Sequence, residues 1–367
     1  MSANSNLYDL HSGSTLSPHI VMNIIQNEHP YNNVHTVRDL LKVVLRLQKN
    51  KEESMADYII DMGTLEHLSF VAARKGHSQP LMIMWDYIQE VRNAGNPSYQ
   101  PTQALYENVA QAFASSSRKE DQLLFGALAT MEEQGYRPSY IFLRGVSQAM
   151  RTRSTVGRLE HASFMLQKSH NAPRYEDSDE IRIRVTSSAL NVLISGYADL
   201  GLVDKAYRTF DLFDECDCKP DEHTFAFMVE AVAMNLTTAV PPRGNHVNEW
   251  VASQEEAADI LVGEARQRGF HANRPLAHSY VEILCATKSL EKAKHFLIDM
   301  VLDADENGER AAIDLKTFSL LAMNYGLSAD LEGADEIVQL CCTAGYAEGL
   351  PRHVTDRIER IRATHSV

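Results

Sequence analysis

Residues 303–314, DADENGERAAID, place oxygen-bearing side chains at alternate positions, Asp303, Asp305 and Asn307, just ahead of Gly308. A loop that gathers carboxylate and amide oxygens around a hard cation such as calcium is spaced this way, and its glycine allows the sharp turn. The twelfth residue, however, is Asp314, shorter than the glutamate whose reach completes such a sphere. Arg310 stands where an apolar residue would be expected. No second loop exists to pair with this one. The segment is therefore expected to be an acidic, flexible insertion between helices, with no metal site.

Other reactive constellations are missing. The chain holds no GxSxG, P-loop, GxGxxG or HExxH pattern, and its 15 histidines are scattered without ligand spacing. No enzyme and no cofactor are expected. Five cysteines, Cys216, Cys218, Cys285, Cys341 and Cys342, show neither zinc spacing nor an even count, and are read as reduced thiols. One stretch is strongly cationic. Between 137 and 168 stand Arg137, Arg144, Arg151, Arg153, Arg158 and Lys168 against Glu160 alone. Arg144 and Arg151 lie two helical turns apart and share a face, a candidate surface for a phosphate backbone.

The whole chain is acidic. It has 367 residues, 49 Asp+Glu against 35 Lys+Arg, and a formal charge of −14. That balance argues against a generic nucleic-acid binder. Hydrophobic residues make up 44%, enough for a buried core. No apolar run approaches the ~18 residues of a membrane helix, so membrane insertion is not expected. Residues 1–33 contain no Lys or Arg but do contain Asp9 and Glu28. An organellar presequence would be Arg-rich, so residues 1–34 are expected to form an extended arm.

What would position these groups is a repeat. The segment 187–221, SSALNVLISGYADLGLVDKAYRTFDLFDECDCKPD, sets Leu190, Leu193, Ile194 and Tyr197 on one helix face. Leu200-Gly201 breaks that helix, since Gly readily adopts the left-handed cap. Asp204 opens a second helix with Ala206, Phe210 and Phe213 inward, and Lys219-Pro220-Asp221 ends it. The same order recurs with Ala257 and Gly269, with Ala293, and with Ala334 and Gly345. Gly135 and Pro138 close the segment 102–139, while 35–62, 64–101 and 140–168 follow the pattern less well. About seven or eight helix pairs over 35–349 are expected, stacked because a single pair cannot bury its apolar face. The expected fold is an all-α right-handed solenoid of antiparallel helix-turn-helix repeats. Residues 237–254, with Pro241-Pro242 and Gly244, are expected to be an inserted loop bearing Trp250 as a protein-docking residue. Residues 350–367 are expected to form a capping helix.

The unit LNVLISGYADLGLVDKAYRTFDLFDECDCKPD resembles the pentatricopeptide repeat, through Asn191, Leu193, Ile194, Gly196, Gly201, Asp204, Ala206, Phe210, Pro220 and Asp221. Tetratricopeptide repeats have a period of ~34 and lack both the N-x-L-I start and the K-P-D end. The resemblance covers roughly residues 60–350. It implies an α-solenoid of mitochondria, or alternatively of chloroplasts or other plastids, that binds single-stranded RNA in transcript stability, processing or translation. It also admits an architectural subunit of an organellar ribosome. By this resemblance Asn191 and Asp221 would together contact one base, in the family's association a uracil, in the manner of one base per repeat. The same positions elsewhere are Ala226 with Asn273, His278 before a unit end distorted by insertion, and Ser319 with Gly349. These do not extend a code.

Charge divides the two expected roles. Residues 187–349 carry 12 Lys+Arg against 27 Asp+Glu, whereas 1–186 carry 19 against 20. RNA is accordingly expected along Arg144 and Arg151, and basic protein neighbours along the acidic repeats 187–349. The alternative to an RNA-associated protein is a non-catalytic scaffold or peripheral subunit of a large organellar complex.

Overall fold

A computed structural model of the chain describes residues 62–74, 78–93, 100–151, 155–171, 184–241 and 246–365. The arm at 1–34 and the pair expected at 35–61 lie outside them. The described residues are all-α. Five helices come first: α1 (Met62–Arg74), α2 (Ser78–Asn93), α3 (Gln103–Ser115), α4 (Asp121–Glu133) and α5 (Tyr140–Arg151). Then come α6 (Thr155–Asn171), α7 (Ser187–Ala198), α8 (Val203–Glu215), α9 (Glu222–Thr238) and α10 (His246–Gln267). The last five are α11 (Arg274–Ala286), α12 (Leu290–Glu306), α13 (Leu315–Leu327), α14 (Leu331–Thr343) and α15 (Arg352–His365). None of the described helices is long and apolar enough to cross a membrane.

The chain divides into two compact units, Met1–Arg158 with Met165–Arg184, and Leu159–Phe164 with Val185–Val367. In the first, α3 packs against α1, α4 and α5 over a core that includes Leu65, Tyr106, Val109, Phe113, Phe125 and Val146. A buried ion pair closes it. Arg158, 2% exposed, donates to Asp121 Oδ1 from Nε at 2.9 Å and to the carbonyls of Ala114 and Ser116 at 2.7 and 3.1 Å. A further bond reaches the Phe113 carbonyl at 3.2 Å. The last carbonyls of α3 have no partner within their own helix, and this guanidinium supplies one.

In the second unit the first helices of successive pairs lie side by side, α7 on α9, α9 on α11, α11 on α13 and α13 on α15. Each second helix, α8, α10, α12 or α14, leans on its own first helix. Packed against α8 and α9, α7 is buried at every residue from Ser188 to Ala198. This stacking of pairs is the solenoid arrangement, because each pair covers the face that its neighbour leaves open.

Helices α4, α8, α10, α12 and α14 end in the same way. The residue after its cap is left-handed: Gly135 (φ 80°), Asp217 (53°), Gly269 (81°), Gly308 (67°) and Gly345 (91°). A backbone bond then reaches back into the last turn, from Tyr136 to Met131, Cys218 to Phe213, Phe270 to Ala265, Glu309 to Ala304 and Tyr346 to Cys341. This is the Schellman closure, which satisfies carbonyls the helix cannot. It also fixes the register. Ala206 and Ala334, fully buried, stand eleven residues ahead of Asp217 and Gly345. Counting back eleven from Gly269 gives Ala258, also fully buried, whereas Ala257 is half-exposed. The close-approach position is therefore Ala258 and not Ala257.

Two expected insertions prove partly helical. Helix α9 runs to Thr238 and α10 begins at His246, so only 239–245 lies between helices and Trp250 sits on α10. Val247, Val251 and Gln254, half-buried, carry the inward stripe of α10 back from Ala258. Asn235 donates to Gln254 at 2.9 Å across the pair. Likewise α12 runs through Glu306, which places Asp303 and Asp305 in its last turn.

Candidate nucleic-acid interface

In α1, α7 and α11 the fifth residue faces the start of the next first helix. Asn191 is the fifth residue of α7, and Asp221 is the N-cap of α9. Asn191 Nδ2 donates to Asp221 Oδ1 at 3.0 Å. Thr224 completes a closed triad: its Oγ1 lies 2.8 Å from Asn191 Oδ1, and its backbone N–H donates to Asp221 Oδ1 at 2.9 Å. The Asp221 N–H returns a bond to Thr224 Oγ1 at 2.9 Å, which makes a capping box. The sequence places an amide and a carboxylate here, and the fold brings them together. Asn191 is fully buried, with both ends of its amide engaged inside the protein. The described side-chain bonds of Asp221 all fall on Oδ1, and none uses Oδ2.

A similar constellation is built a second time, its outer members joined through the threonine. His278 is the fifth residue of α11, and Asp314 is the N-cap of α13. His278 Nδ1 lies 3.0 Å from Thr317 Oγ1. Thr317 donates to Asp314 Oδ1 from its backbone at 2.8 Å and from its hydroxyl at 2.7 Å. Burial lowers the His278 pKa, with Lys316 adding to the effect and Asp314 and Glu282 opposing it. At Asp314 burial works against ionisation, but the Thr317 bonds, His278 and Lys316 outweigh it and lower the pKa. The unit end after His278 is therefore not distorted. The longer α12 and residues 307–313 absorb the insertion, and Asp314 returns to register. One sequence signal could have found it: D-x-x-T occurs at Asp221–Thr224 and again at Asp314–Thr317.

The oxygen-bearing side chains of 303–314 serve the helix ends instead. Asp314 spends its carboxylate on capping α13, Asn307 Nδ2 donates to the Asp303 carbonyl at 2.7 Å, and Arg310 stacks on Tyr346 at 4.4 Å. Among the described residues no group of three or more His, Cys, Asp or Glu could hold a metal ion.

The remaining positions offer less to a base. Ala226 is fully buried, and the Asn273 side chain accepts from Leu276 N at 3.1 Å. Ser319 Oγ bonds its own helix at Leu315 O, 2.6 Å away. Its partner position is Pro351, just before α15, and not Gly349. In the first unit, Glu66 on α1 bonds Thr102, the N-cap of α3. Arg144 is the fifth residue of α5, half-buried, with Nη1 3.4 Å from the Tyr140 hydroxyl. Arg151 follows on the same helix, also half-buried. Arg158 belongs to the buried pair with Asp121 and leaves the cationic stretch, while Arg153 lies outside the described residues. Arg158 therefore adds no charge to the surface of this stretch.

No family model matches the chain, and no curated protein does. Solved structures do. Two crystal structures of the pentatricopeptide repeat protein PPR10 in complex with an 18-nt psaJ RNA element match 94% of this chain and 47% of theirs. The identity is 17% and the TM-score 0.33. The crystal structure of PPR10 from maize matches 99% of this chain and 59% of its own, at 13% identity and a TM-score of 0.28. The chain thus spans about half the length of the proteins it matches.

Proposed function

We propose that this pentatricopeptide-repeat-like chain is a non-catalytic, RNA-associated protein of organellar gene expression that binds single-stranded RNA along its first helices. The observation that carries this reading is the constellation built twice, Asn191–Thr224–Asp221 and His278–Thr317–Asp314. An amide or imidazole next to a carboxylate presents the donors and acceptors that a base edge requires. In this reading a base, uracil at Asn191 and Asp221, replaces bonds the protein now makes with itself. Arg144 and Arg151 supply the phosphate contacts. The setting is a mitochondrion, with a plastid as the alternative, by family resemblance alone.

Equilibrium binding of the purified chain to randomised single-stranded RNA across a salt series tests the proposal. Saturable, salt-sensitive binding is expected. Asn191→Ala and His278→Ala should change base preference more than affinity, and the double change Arg144→Glu, Arg151→Glu should abolish binding. Absence of binding even at low salt overturns the reading.

A second reading follows from charge. With 12 Lys+Arg against 27 Asp+Glu in 187–349, the acidic repeats suit basic protein neighbours, as in a scaffold or a peripheral subunit of an organellar ribosome. It requires that the endogenous protein co-purify with a large complex, and a free monomer at all salt concentrations would end it.

A further inference from the structure

The pair α9–α10 is longer than its neighbours. Helix α10 has 22 residues, against 13 in α8 and 17 in α12. The register of the buried alanines shows where the extra length lies. Ala206, Ala258 and Ala293 are equivalent, so Val203, the first residue of α8, and Leu290, the first of α12, are level with Glu255. A bond confirms this on the α12 side: Ser289, the N-cap of α12, donates to Glu255 Oε2 at 2.7 Å. Residues 246–254 therefore project beyond both flanking helices, by about 13 Å at 1.5 Å per residue.

That projection carries an exposed face of mixed character. Glu249, Ser253, Glu256 and Ile260 follow one another at spacings of four, three and four, so they share one side of α10. All four are exposed, Ile260 at 62%. Trp250 adjoins this line, half-buried, on the part of α10 that neither α8 nor α12 reaches. Val240, 91% exposed, lies in the short connection just before. A half-buried indole and two exposed aliphatic side chains on one hairpin are the mark of a surface meant to be covered. Charge says by what. Residues 222–263 hold six Asp+Glu and a single Lys+Arg, Arg243. Glu255 and Asp259 are engaged by Lys292, whereas Glu256 is exposed and Glu249 meets only His246.

We infer that the projecting end of α10 is a docking site for a cationic amphipathic helix of a partner protein. Its apolar side covers Trp250, Ile260 and Val240, and its lysines or arginines meet Glu249 and Glu256. Acid alongside exposed apolar side chains attracts such a helix and repels a phosphate backbone. The site is independent of whether RNA binds the first helices.

The test uses the full chain carrying Trp85→Phe, so that Trp250 is the single fluorophore, and a synthetic amphipathic helix of leucine and lysine as probe. Saturable binding with a blue shift of Trp250 emission is expected. Glu249→Lys with Glu256→Lys should weaken it at least tenfold with the circular dichroism spectrum unchanged. The control reversal, Asp303→Lys with Glu306→Lys at the far end of α12, should leave it within twofold. A peptide of equal charge built from glycine and lysine should bind without moving the emission. Equal weakening by both reversals, or an unmoved Trp250, overturns the inference. So would a dimer in sedimentation that Val240→Asp dissolves, since the occupant would then be a second copy. Displacement of the probe by oligouridylate would overturn it as well.

Discussion

Arg158 is the most consequential single side chain in the first unit. It lies in a run of cations, yet it is 2% exposed and bonds Asp121 and three carbonyls at the end of α3. Removing one partner of a buried pair leaves the other charge without compensation. Arg158→Met should therefore destabilise the protein by ~3–5 kcal/mol in urea denaturation, and Asp121→Asn in the same background should restore part of the loss. No restoration would mean the carbonyl bonds matter more than the ion pair. His278 poses a different residue-scale question. Burial holds its folded pKa below the ordinary imidazole value of 6.5, so the unfolded chain takes up a proton first as pH falls. The stability that neutral His278 contributes is present above 6.5 and is lost as pH falls through the folded pKa. His278→Asn keeps a donor for Thr317 and cannot titrate. Unfolding free energies between about pH 5 and pH 8 should show a shallower slope in that variant. Identical slopes would place the titration elsewhere.

At the scale of elements, the unit 187–221 was legible because every local signal agrees there: the apolar period, Gly201 at a left-handed turn (φ 66°), and Pro220 before the Asp221 cap. Ala258 was misplaced by one residue because an alanine stands at both 257 and 258, and only packing distinguishes them. The difference can be measured. Ala258→Leu should cost ~1–3 kcal/mol by overpacking against α9, whereas Ala257→Leu should cost little. If the two cost the same, the register argument fails. The Pro-Pro break and the acidic run at 303–306 misled in another way. Turn-forming composition marks where a helix stops, but the continuation of α10 back to His246 and of α12 through Glu306 depends on the helices beside them.

For the whole molecule, charge is the property that most separates the two proposed roles. The formal charge of −14 is concentrated in 187–349. Stacked pairs hold these carboxylates together, so self-repulsion should weaken the second unit at low ionic strength. Raising salt from about 20 to about 200 mM, across the range where screening sets in, should move the urea midpoint upward. A midpoint that falls would show that ion pairs such as Lys292 with Glu255 and Arg362 with Asp335 outweigh the repulsion. The same salt increase should weaken RNA binding, so the two measurements separate stability from affinity.

The amino-acid sequence by itself determined the helices, the paired repeat and the positions of Asn191 and Asp221, because helix period, glycine turns and capping residues act within a few residues of chain. The tertiary structure alone decided which groups are available. It buried Arg158 and Asn191, returned Asp314 to register beside His278, and left the start of α10 projecting past α8 and α12. Those outcomes depend on stacking between residues some thirty or more positions apart, where burial and hydrogen-bond partners are set by the neighbouring pair and no local pattern records them.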